Sequence, residues 1–95
     1  MDATEQKTAV MTVIGSDAVG IIARISTLLY RHNVNIKDIS QTILDDIFTM
    51  VMMVDLASSD IDIKDLSDEL NELGKEIHLT ISIWHTGLFN AMHRI

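Results

Sequence analysis

From Thr8 to Ile14 the run TAVMTVI is β-branched and apolar, and it stops at Gly15. This pattern predicts a strand with Val10, Thr12 and Ile14 on one face and Ala9, Met11 and Val13 on the other. Both faces are largely apolar, as in a central strand covered on each side. After Ser16-Asp17-Ala18-Val19-Gly20 the period changes. Ile21, Ile22, Ile25, Leu28 and Leu29 recur at helical spacing, with Arg24, Thr27, Arg31 and His32 pointing away. Ser16 or Asp17 can cap the first turn, and Asn33 is suited to a left-handed stop.

A second strand is expected over 34–44, but its alternation breaks: Val34 and Ile36 have one parity, Ile39, Gln41 and Ile43 the other. A bulge near Asp38 restores a single buried face. Asp45-Asp46 forms a tight turn into a third strand, 47–56, with Phe48, Met50, Met52 and Val54 opposite Ile47, Val51 and Met53. A cap-rich loop, Ser58-Ser59-Asp60, then leads into a helix striped by Ile63, Leu66, Leu70 and Leu73 and closed by Gly74. The last strand, 77–84, sets Ile77, Leu79, Ile81 and Ile83 against His78, Thr80, Ser82 and Trp84, leaving one face wet. In the tail, Leu88, Phe89, Met92 and Ile95 share one side of a short helix. Such a helix is too short to stand alone and needs a surface to lie on. The open sheet face, expected to be apolar along Met11 and Val13, is one such surface, and a second subunit is another.

The order β-α-β-β-α-β with right-handed crossovers predicts an α+β, ferredoxin-like sandwich: a four-stranded antiparallel sheet with two helices on one face. Its first and third strands are central, in agreement with their doubly apolar faces. Expected boundaries are an unstructured lead over 1–7, one domain over 8–85 and a helical tail over 86–95.

Composition narrows what such a domain can do. Its 95 residues are 47% hydrophobic, rich enough to suggest that a second subunit hides part of the apolar surface. The net charge of −7, with seven Lys and Arg in no run, disfavours nucleic acid and anionic membranes. The lack of Cys removes disulfides, thiolate metal sites and Cys nucleophiles. The polar first residues lack a signal-peptide core, and no apolar run is long enough to span a bilayer, so cytoplasm is the expected compartment.

Fold alone does not give function. RNA-recognition modules of this topology need aromatic, basic sheets, yet the central strands offer only Phe48. Metallochaperones need paired Cys in the first loop, and acylphosphatases need an Arg there; this loop has Asp17. His32, His78, His85 and His93 lack ligand spacing on one helix, so no metal or other cofactor is expected. Met50, Met52 and Met53 read as core and interface filler. Ser40 and Thr42 have no neighbouring base, so catalysis lacks support.

The run VIGSDAVGIIARIS followed by NVNIKDISQT resembles the ACT domain, a ligand-sensing regulatory module, over about residues 8–85. Together with the tail LFNAMHRI it looks like the free-standing ACT proteins of prokaryotes, which are similar to the ACT halves of the glycine-cleavage regulator and of formyltetrahydrofolate deformylase. Val19 stands where many ACT domains carry Pro. The resemblance implies a small effector, often an amino acid, where the first loop meets the start of the second strand, usually at a subunit interface.

The residues support such a site independently. Gly15 and Gly20 permit close backbone approach, and the amides of Val19, Gly20 and Ile21 lie at a helix start that attracts carboxylate. Asp17 suits an ammonium group, so a zwitterion satisfies both. Asn35 and Ile36 complete the candidate site. A purely structural reading stays open, with Asp17 as a cap, the glycines serving the turn and Asn35 opening a strand. A homodimer is expected, with Trp84, Leu88, Phe89 and Met92 in its interface. The alternative is a regulatory subunit that binds a protein partner and no metabolite.

Overall fold

A computed structural model describes residues 7–16 and 20–92. Residues 1–6 of the expected lead over 1–7, Asp17 and Val19 of the first loop, and residues 93–95 of the tail, Ile95 included, lie outside the described residues. The elements are β1 (Thr8–Gly15), α1 (Ile21–Arg31), β2 (Asn35–Leu44), β3 (Ile47–Asp55), α2 (Ile63–Ile77), β4 (Leu79–His85) and α3 (Thr86–Met92).

The strands form one sheet in the order β2-β3-β1-β4 with every pairing antiparallel. Met11 sits opposite Met52 on one side and Ile83 on the other. Its row, Ala9, Met11 and Val13, faces the helices and is fully buried among Met50, Met52, Ile25, Leu29, Leu66 and Leu70. At about 25 cal/mol per Å², each such side chain contributes on the order of 2 kcal/mol when removed from water. The opposite face carries Val10, Thr12 and Ile14. The expected apolar surface for the tail is therefore corrected: Met11 and Val13 are already committed to the core, and Val10 lies beneath α3.

The bulge lies where the parity break places it. Ile36 pairs with Val54, Lys37 is skipped, and Asp38 pairs with Met53. Ile36, Ile39, Gln41 and Ile43 consequently all oppose core-facing residues of β3. Burial on this edge strand is nevertheless incomplete on the helix-facing side: Ile39 and Ile43 are 39% and 69% exposed. Ile22 is likewise exposed and not part of the buried stripe of α1, which is Ile21, Ile25, Leu28 and Leu29.

Two helix ends differ from expectation. α1 starts at Gly20, with φ of 74° and no side-chain cap bond. α2 is capped by Asp62, which accepts from the Asp65 amide at 2.8 Å. It runs through Gly74 and stops at His78, whose φ is 60°. Gly74 does not close the helix, and Ile77 belongs to the helix and not to β4. The glycine serves a close approach: a Cβ there would lie 2.6 Å from the Leu79 carbonyl oxygen. The stop at Asn33 is as expected, with φ of 60°, and Asp45 adopts φ of 55° in the hairpin turn.

Gly74→Ala isolates this constraint. In an exposed helix the change stabilises by about 1 kcal/mol. Here the backbone clash dominates, and urea unfolding should show a net loss of about 1–3 kcal/mol.

Candidate functional site

The loop after β1 is built by two glycines with different duties. At Gly15 a Cβ would meet the tip of the Leu79 side chain, which would have to turn aside, while the nearest backbone atom stays at ordinary contact distance. At Gly20 nothing lies within 4 Å of a built Cβ, so the positive φ alone demands glycine. The first amides of α1 follow it, with no side chain among the described residues capping them. Ile21 is buried in the core, so only its backbone faces the loop.

The other half of the predicted site lies elsewhere. Asn35 pairs with Asp55, which pairs onward with Thr8, whereas Gly15 pairs with Phe48 at the far end of the same strands. The eleven residues of α1 separate Gly20 from Asn35 by about 16 Å. Gly15, Gly20 and Ile21 flank one loop, while Asn35 and Ile36 stand at the opposite end of the sheet. Asn35 is exposed and borders a recess of about 410 Å³ with Tyr30, Asn33, Asp55 and Ser58. Asn33 donates from Nδ2 to the Ser58 carbonyl at 3.0 Å, and Asp55 accepts from the Ala57 amide at 2.8 Å. Ile36 is half-buried against the core.

Of the residues expected in an interface, Trp84 and Phe89 pack on each other, with ring centroids 5.9 Å apart and planes at 47°. Leu88 and Met92 are 49% and 50% exposed on α3. α3 follows β4 without a linker, and the Thr86 and Thr8 hydroxyls hydrogen-bond at 2.7 Å.

Sequence reasoning treated His32 as outward-facing and missed its partners. Its Nδ1 lies 2.9 Å from Asp60 Oδ1 and its Nε2 lies 2.9 Å from Glu69 Oε1. A neutral imidazole can donate to only one of them; the imidazolium donates to both. The hydrogen bond to Glu69, then that to Asp60, raises its pKa above the usual 6.5. Its place at the end of α1 also favours the cation. His85 Nδ1 is buried with no partner among the described residues. Also among the described residues, no three metal-ligating side chains converge, and no helix is long and apolar enough to cross a membrane.

The ACT-domain family profile matches residues 7–83. The chain belongs to the ACT-domain family. ACT domains are regulatory modules, often ligand-binding. A free-standing relative, a UPF0237 protein of Pyrobaculum aerophilum, is 49% identical over 92% of this chain and 97% of its own length. An ACT domain protein from Streptococcus pneumoniae has a solved structure that matches with a TM-score of 0.77 and 35% identity, over 86% of this chain and 92% of that one. A structure assigned as a glycine cleavage system transcriptional repressor matches with a TM-score of 0.71 over 81% of this chain and 45% of its own. At 17% identity, that last likeness shows the fold alone.

The ion-paired His32 gives the ACT domain a pH-dependent contribution to stability. Because its folded pKa is raised, the contribution is complete below about pH 6.5 and fades as pH rises through the folded value. The carboxylates are well exposed, so its size is at most about 1 kcal/mol. In urea unfolding, the deficit of His32→Gln relative to wild type should be largest near pH 6 and shrink toward pH 8.5.

Proposed function

We propose that this ACT domain is a regulatory module without catalytic activity, acting in the cytoplasm as a homodimer that binds a small effector, an amino acid. The observation that carries the reading is the start of α1. Gly20 turns the chain with a left-handed φ and, having no side chain, offers the first helical amides no acceptor of its own, nor does any other described residue. A carboxylate meets those amides favourably, and Asp17 supplies an acid for the ammonium group.

The separation of Asn35 from this loop supports a dimer. β2 is an edge strand, so its outer ladder is open to a second strand. Antiparallel pairing of β2 with its copy sets Asn35 of one protomer at the sheet end that carries the first loop of the other. Gly15, Gly20 and Ile21 from one copy then lie at the same end of the joined sheet as Asn35 and Ile36 from its partner, and Asp17 and Val19 belong to the loop between them. Neither copy assembles the site alone.

A second reading rests on α3. Leu88 and Met92 are exposed beside the Trp84–Phe89 pair, and these four residues would seat a protein partner or a further copy.

A thermal-shift screen against the common amino acids, run beside sedimentation velocity, tests the proposal. One amino acid at a hundred times its Kd should add about 2.7 kcal/mol, a shift of about 10 °C or more in a domain this small. Asp17→Ala and Asn35→Ala should each abolish the shift. No stabilisation by any amino acid at millimolar concentration sinks the effector reading and leaves the protein-partner one.

A further inference from the structure

The face of the sheet away from α1 and α2 holds a recess that the effector site does not use. It has a volume of about 260 Å³ and lies between β2 and α3. Val10, Val51 and Met53 form its floor, and Phe89 is a wall. Val51 and Met53 are 40% and 38% exposed, so the floor is reachable. Asp38, Ser40 and Asn90 supply polar groups at its margin.

The bulge accounts for the carboxylate. Unbroken alternation from Ile36 would turn residue 38 toward the helices. Skipping Lys37 pairs Asp38 with Met53 and Ser40 with Val51, which sets both on the open face. Asp38 Oδ1 accepts from the Ile39 amide at 2.9 Å, and its other oxygen has no partner among the described residues. Among the described residues lining the recess, Asp38 is the one charged group.

We infer that this recess is a second ligand site, which takes a small primary ammonium compound with a compact apolar body. The ammonium group donates to Asp38, with the Ser40 hydroxyl and the Asn90 amide oxygen as further acceptors. The apolar body lies over Val10, Val51 and Met53 against Phe89. No Lys or Arg among the described residues lines the recess, so the carboxylate of an amino acid would lose water there without gaining a partner among them. The site thus discriminates amines from the amino acids that share their side chains. It does not rest on the effector reading, because it uses neither the first loop nor Asn35.

The test is titration of the ¹⁵N-labelled full chain with 3-methylbutylamine, compared with 3-methylbutanol and leucine, which lack the charge or add a carboxylate. Saturable amide shifts are expected at Val10, Ser40, Val51, Met53 and Asn90, with the alcohol and leucine at least about tenfold weaker. Asp38→Asn should lower amine affinity about tenfold or more, the scale of a lost charged hydrogen bond, while Asp46→Asn in the hairpin turn leaves it unchanged. Phe89→Ala, at the wall of the recess, should weaken the amine and the alcohol alike, and it serves if Asp38→Asn fails to fold. The inference is overturned if millimolar amine gives no saturable shift, or if shifts appear only in the first loop. Equal binding by Asp38→Asn, leucine binding as tightly as the amine, or concentration-dependent shifts at these residues without amine (a second copy covering the face) would overturn it too. Stabilisation by leucine that Asp17→Ala removes bears on the effector site alone.

Discussion

Everything in this molecule hangs on one sheet face being dry. Ala9, Met11 and Val13 run down the middle of the sheet between the buried rows of β3 and β4, and the stripes of α1 and α2 close over them. Because side chains alternate across a strand, that choice also decides the other face. Val10, Thr12 and Ile14, with Val51 and Met53, are left for whatever α3 does not cover. A one-residue slip of β1 would exchange the two sets and uncover the core. The three methionines at the centre (Met11, Met50 and Met52) suit this crowded seam, since an unbranched side chain fills irregular gaps between strands and helices.

Much of this was legible because it is periodic. The doubly apolar runs of β1 and β3 marked the central strands, the clean alternation of β4 marked an edge, and the parity break within β2 located the bulge within a residue. Gly74 misled because a glycine late in a helical pattern reads as a terminator. Its actual cause, the Leu79 carbonyl crossing at that point, is a tertiary contact that no local pattern carries. Ile77 followed it into the wrong element.

The sites were less legible, for reasons of topology. The loop glycines and Asn35 look adjacent when read as one motif, yet strand register puts them at opposite ends of the sheet. His32 finds Asp60 and Glu69, which lie 28 and 37 residues away. The recess under α3 draws its carboxylate from β2, its floor from the centre of the sheet and its wall from the tail. No stretch of sequence contains it. Only the parity break hinted that Asp38 changes face.

The same bulge has a consequence for how copies can associate. A sheet with two edges, β2 and β4, invites head-to-tail addition, and repeated addition of that kind grows a filament. β2 carries no proline to stop it and exposes Ile39, Ile43 and Leu44. Skipping Lys37 breaks the regular ladder near the start of the strand and leaves a charged residue there. An incoming strand therefore finds a regular ladder only from Asp38 to Leu44, and any pairing on this edge, the two-fold pairing of β2 with its copy included, is confined to that stretch. The irregular residue that sets Asp38 on the open face thus also fixes how much of the edge a second strand can use.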